Sequence, residues 1–139
     1  MIYSRNISCA KESLITARNF VKESLGKHAI SDLDVASMVL AIDEVLANLI
    51  IHGHKCNKED QILLEVEIKN STTIIFKIYD EDEFFNIEDY EAPTLKEIIK
   101  AKRKGGMGLI LVKKIMDRIE IGQESGKNCC RLYKKIDKE

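Results

Sequence analysis

From Ser31 to His52 the chain offers a helix that is apolar almost all the way round. Val35, Met38, Val39, Ile42, Leu46 and Leu49 recur at helical spacing and form the main stripe. Leu40, Ala41, Ala47 and Ile51 make the opposite side apolar as well. A helix of this kind must be covered on more than one flank, so the rest of the chain has to supply a layer for it to lie on. Ser31 and Asp32 stand where its cap belongs, because a short side-chain oxygen can accept from the free N–H groups of a first helical turn.

The remaining segments supply that layer. Met1 to Ile7 is short and alternating, which predicts an edge strand. Ser8 can cap a helix to about Leu25, with Leu14, Ala17, Phe20, Val21 and Leu25 on one side and Gly26 placed to end it. His52–Asp60 reads as a polar loop. Gln61–Lys69 and Thr72–Asp80 alternate, with Ile62, Leu64, Val66 and Ile68 on one face, and Asn70-Ser71 between them suits a hairpin turn. From Glu81 to Gly106 the pattern weakens into acidic residues, Pro93, a short helix from Thr94 and the basic run Lys100–Lys104, which reads as a lid or binding loop. Leu109–Asp117 is again helical. Arg118–Gly122 and Asn128–Ile136 form a last hairpin around Glu124-Ser125-Gly126-Lys127. The order β-α-α-β-β-(lid)-α-β-β predicts an α+β fold, a two-layer α/β sandwich whose mixed, mostly antiparallel sheet is covered by helices on one face. No repeat or linker marks a boundary, so residues 1–139 read as one domain.

Composition narrows the class of partner. With 22 basic and 23 acidic residues the net charge is −1, which gives no global field toward nucleic acid or an anionic membrane. Cys9, Cys56, Cys129 and Cys130 contain no CxxC pair, and adjacent cysteines in a strand face opposite ways, so they suit neither a zinc site nor a simple staple. Four thiols are ordinary in a reducing compartment. The start MIYSRNIS lacks the basic and apolar regions of a signal peptide, and no apolar run reads as a membrane span. A soluble, cytoplasmic chain is the expectation.

Three segments could carry chemistry. Glu44 and Asn48 lie one turn apart on the apolar helix, nearly opposite its main stripe. A carboxylate and an amide on such a face could serve a magnesium ion and a proton acceptor, with Asn48 as metal ligand and Glu44 as base; partial exposure, or pairing with the lid, is the plainer account. Lys104-Gly105-Gly106-Met107-Gly108-Leu109 precedes a helix, where glycines admit a phosphate and free N–H groups meet it, although glycines at the start of a helix are also common. Lys100–Lys104 could equally be a solvated helix end. Asp80, where a strand leaves the sheet, could accept from an exocyclic amine such as that of adenine, or simply begin the acidic turn after it.

Taken in order, Glu44-Val45-Leu46-Ala47-Asn48, Asp80 and Gly105-Gly106-Met107-Gly108 resemble the N box, the adenine aspartate and the glycine box of the gyrase, histidine-kinase and MutL type of ATPase, the Bergerat ATP-binding fold. DEVLANLIIHGH and KGGMGLILVKKIMD resemble most the serine/threonine kinases that act as anti-sigma factors in partner-switching pathways. The resemblance runs over nearly the whole chain.

It implies ATP between the second helix and the lid, with adenine against Asp80 and magnesium on Asn48. It places Gly105, Gly106, Met107, Gly108 and Leu109 around the phosphates, Lys104 at the γ-phosphate, and Glu44 as the base for a serine or threonine hydroxyl. It further implies an anti-anti-sigma protein of the STAS type as substrate, a sigma factor as second partner, and a homodimer. Where the family usually has a glycine two residues after the adenine aspartate, this chain has Asp82, and the threonine often found in the last hairpin is replaced by Asn128 and Cys129. The first departure motivates a second hypothesis, a module that keeps the fold and sequesters a partner without phosphorylating it. The catalytic domain of a sensor histidine kinase would need a dimerising hairpin with an acceptor histidine, and His28, His52 and His54 read instead as surface or helix-end residues.

Overall fold

The computed structural model describes residues 1–80 and 107–136. Five strands, β1 (Ile2–Ser8), β2 (Gln61–Lys69), β3 (Thr73–Asp80), β4 (Arg118–Glu124) and β5 (Lys127–Lys135), form one sheet in the order β1-β2-β3-β5-β4. Helices α1 (Ser13–Gly26), α2 (Asp32–Ala47) and α3 (Met107–Ile115) complete the described elements, with a π-helical turn, Asn48–Gly53, continuing α2. The α+β sandwich predicted from the sequence is found, with one correction: among the described residues every strand pairing is antiparallel, where a mixed sheet was expected. The expected lid, from Glu81 to Gly106, lies outside the described residues.

Strand alternation decides which face is covered. Ile62, Leu64 and Val66 are fully buried on β2, and their partners Phe76 and Ile78 on β3 and Leu132 on β5 share their face. Leu14, Ala17, Val21 and Leu25 of α1 and Met38, Ile42, Val45 and Leu46 of α2 pack onto it in one core cluster. Both hairpins turn through left-handed backbone at two consecutive residues, Asn70-Ser71 and Ser125-Gly126, which matches the strands' own twist.

The helix starts show why one expected cap holds and the other fails. Ser31 caps α2, its hydroxyl accepting from the Asp34 N–H at 3.2 Å. Ser8 does not cap α1. It ends β1 instead, donating to the Lys58 carbonyl at 2.7 Å, because the ladder with β2 extends one residue further, to the Cys9 N–H and Asp60 carbonyl. By length and composition Asp32–Gly53 is long and apolar enough to cross a membrane, contrary to the sequence expectation. Asp32 and Asp34 stand at its start, and the apolar residues around Asp43, Glu44 and Asn48 outweigh them. Here the segment is the central core helix, flanked by α1 and α3.

Candidate functional site

Glu44 and Asn48 are both half-buried, on the stretch where α2 passes into the π turn. Asn48 donates from Nδ2 to the Glu44 carbonyl oxygen at 2.9 Å, and its backbone N–H is shared between the Glu44 and Val45 carbonyls. The first bond uses the donor end of the amide, so the opposite end offers an oxygen, the atom type magnesium requires.

The π turn accommodates one residue more than an α-helix would and so re-aims the residues after it. The His54 N–H reaches back to Leu49, and the side chain is carried into the fold, where the residue is only 8% exposed. Of the expectation that His54 is a surface or helix-end residue, the second half holds, since His54 caps the end of the π turn, and the first is corrected by its burial. Its Nε2 lies 2.7 Å from Asp80 Oδ2 and its Nδ1 lies 2.8 Å from Asp60 Oδ2. Asp80 closes β3 on the helix-covered face and is 2% exposed, so it is not a solvated start to the acidic turn. A buried carboxylate requires a donor, and the imidazole provides one.

The loop between the π turn and β2 is held from several sides. Lys55 and Cys56 both take left-handed backbone, an uncommon conformation for side-chain-bearing residues. The Asn57 N–H bonds the His54 carbonyl, the Asp60 N–H bonds the Asn57 carbonyl, and Ser8 and Cys9 tie the loop to the end of β1. Asp60 thus reaches His54 from a braced turn.

Beside this triad opens a cavity of about 310 Å3, lined by His54, Glu59, Asp60, Gln61, Tyr79, Asp80 and Lys127. It sits where β2 begins and β3 ends. Of the remaining sequence-predicted residues, Lys104, Gly105 and Gly106 lie outside the described residues. Met107, Gly108 and Leu109 form the first turn of α3, which begins two residues earlier than expected and packs against α2. Asn48, at the end of α2, and Asp80, on the helix-covered face of β3, lie on one side of the sheet. His54 and Asp60 were missed by the sequence reading. Their one signal was the spacing of His54, four residues after the buried Ile50, on a line that otherwise belongs to the core.

These residues fit a magnesium nucleotide. The described residues hold no cluster of three or more His, Cys, Asp or Glu side chains able to bind a metal by themselves. An ion held by a single amide oxygen would draw its other ligands from phosphates and water, as magnesium commonly does.

Residues 7–134 match the family model described as "Histidine kinase-like ATPase domain". The serine-protein kinase RsbW of Staphylococcus epidermidis is 34% identical over 101 residues, which cover 67% of this chain and 61% of that protein's length. The anti-sigma F factor of Clostridium perfringens is 24% identical over 102 residues, 73% of this chain and 72% of that protein. Among solved structures, the RsbU and RsbW domains of Rv1364c from Mycobacterium tuberculosis match all of this chain and 33% of theirs, with a TM-score of 0.69 at 14% identity. The SiaB-SiaC complex from Pseudomonas aeruginosa matches 96% of this chain and 89% of the matched chain, with a TM-score of 0.64 at 8% identity. At such identities the structural likeness speaks for the fold.

Proposed function

The chain belongs to the histidine kinase-like ATPase domain family, and from that premise we propose that it is an ATP-dependent protein serine/threonine kinase acting as an anti-sigma factor in a partner-switching system. The observation that carries this reading is the continuity of one segment, α2 with its π turn. It presents the Glu44–Asn48 pair and then delivers His54 to a buried Asp80 beside a polar cavity. The similarity to relatives named serine-protein kinase and anti-sigma F factor supports it.

In this reading Asp80 accepts from the 6-amino group of adenine, and the backbone around Gly105, Gly106, Met107, Gly108 and Leu109 faces the phosphates. Lys104 stabilises the γ-phosphate, and Asn48 contributes an oxygen to magnesium, which neutralises phosphate charge when bound. Glu44 takes the proton from the attacking hydroxyl. The substrate is a STAS-type anti-anti-sigma protein, the second partner is a sigma factor, and the working form is a cytoplasmic homodimer.

Calorimetric titration with ATP, with and without magnesium, tests the site. Wild type should bind, Asp80→Ala should weaken binding at least about tenfold, the factor for losing one hydrogen bond of about 1.4 kcal/mol, and Asn48→Ala should remove the magnesium dependence. Absence of binding at millimolar nucleotide would sink the kinase reading in favour of a sequestering module, the alternative that Asp82 first raised.

A further inference from the structure

We propose that His54 is a positioning residue for the base-reading carboxylate. By fixing Asp80 as an acceptor, it makes the site prefer a 6-aminopurine nucleotide over a 6-oxopurine one. This rests on the nucleotide reading above.

Both ring nitrogens of His54 face carboxylate oxygens at hydrogen-bond distance, Asp60 on one side and Asp80 on the other. A neutral imidazole has one N–H and could donate to only one of two ionised carboxylates. Two such partners are satisfied together when the ring carries a proton on each nitrogen. Nε2 then donates to Asp80, and the bond runs in one sense only.

Burial makes that sense matter. The Asp80 side chain is 1% exposed and the His54 side chain 5%, whereas Asp60, at the outer end, is 42% exposed. Asp60 can keep water at its outer side while it holds the ring; Asp80 depends on protein groups for its donors. A donor from His54 fixes the rotation of the Asp80 carboxylate about the Cβ–Cγ bond. With Oδ2 bonded to His54, a ligand in the cavity is met by a group that accepts and does not donate. A 6-amino group supplies the donor that acceptor needs; a 6-oxo group brings lone pairs against it. Sites that leave a buried polar group unmatched by the wrong ligand discriminate strongly.

The plainer account is a satisfied core histidine whose two bonds serve stability alone. It is less complete, because the pair lines a cavity and its outer member sits on a loop braced by Ser8 and Cys9. That arrangement fixes a direction as well as a contact.

The two accounts part in a nucleotide-discrimination experiment on the full chain. Magnesium ATP and magnesium ITP are titrated into wild type, Asp80→Ala, Asp80→Asn, His54→Phe and the Asp80→Asn/His54→Phe double variant, each checked for a cooperative melt. Wild type should prefer ATP by about 10- to 100-fold, the factor expected for one mismatched buried polar group. In Asp80→Asn, His54 still donates to the side-chain oxygen at position 80, which turns the new NH2 group toward the base, so the preference should reverse toward ITP. In the double variant the amide has lost its orienting donor, and the preference should shrink to within about threefold, roughly the smallest effect of one weak hydrogen bond.

Equal ATP and ITP loss in His54→Phe, with the ratio of wild type, would reduce His54 to a structural residue and overturn the proposal. A full reversal that survives in the double variant would overturn it too. Should His54→Phe not fold, Asp80→Asn, which keeps the shape of the site, decides alone: no shift toward ITP means that His54 does not set the sense of the bond. ATP binding by wild type that Asp80→Ala leaves unchanged would instead show that the nucleotide reading itself has failed.

Discussion

β3 ends in two polar residues that meet different surroundings. Asp80 points under the helices, where its side chain is 1% exposed and bonded to His54. Tyr79, its neighbour, points to the other face of the sheet, where its hydroxyl reaches Glu65 at 3.5 Å and Glu124 at 3.4 Å. That face carries a lattice of ion pairs: Lys77 with Glu124, Arg131 with Glu120 and Glu124, and Arg118 with Glu120. Arg118 also lies over the Tyr133 ring. The long side chains cover the surface between them, so Ile75 and Cys129 are buried although no described helix packs there.

The number of charges does not distinguish the two regions; access to water does. The Glu124 side chain is 37% exposed, so its ion pairs compete with water and salt. Burial pushes its carboxyl up, but Lys77 and Arg131 outweigh that and hold it below the usual carboxylate value. Burial, helped by Glu65, pushes the Tyr79 hydroxyl far above its ordinary value, and burial pushes the Cys129 thiol up to about 11. These groups keep one protonation state near neutral pH and have no titration to offer there. The pair under the helices belongs to a cavity wall, and its contacts fix the orientation of a group that a ligand would meet.

Adjacent residues of β3 test this contrast. Phe76 faces the core and is fully buried, so Phe76→Ala should cost about 3–5 kcal/mol in denaturant unfolding. Lys77→Ala, one residue on and facing the ion pairs, should cost under about 1 kcal/mol. Equal costs would show that the open face is as tightly integrated as the helix-covered one.

The smallest effect should come from Glu124→Gln, read as a function of pH. A carboxyl whose folded pKa is depressed stabilises the fold above its unfolded value, and that contribution disappears as pH falls through the folded value. The wild-type advantage over Glu124→Gln should therefore be level near neutral pH and decline below about 4.5, the ordinary carboxylate value. It should also shrink in high salt. An advantage that grew on acidification would contradict the ion-pair description.

The sequence made the two regions unequally legible. Period-two alternation located β2 to the residue and assigned Ile62, Leu64, Val66 and Ile68 to the core face, because a strand buried on one side has to alternate. Glu44, Asn48 and Asp80 were visible as polar residues where apolar ones, or solvent, were expected. The π turn was not legible, since its spacing departs from the helical period that the reading relied on. The sequence reading left His54 in the polar loop His52–Asp60, where Asp60 is one more charge. Their meeting depends on the left-handed pair Lys55-Cys56 and on the ties to β1, which involve residues some 50 positions apart in the chain. Ser8 was misassigned for a related reason: a strand partner far along the chain prevailed over a local cap.

The most direct measurement is a backbone amide NMR titration with magnesium ATP. The nucleotide reading predicts shifts concentrated at Glu44, Asn48, His54, Asp80 and the start of α3, with Glu120, Glu124 and Arg131 on the open face little changed. Shifts centred on that open face, with His54 and Asp80 unmoved, would contradict it.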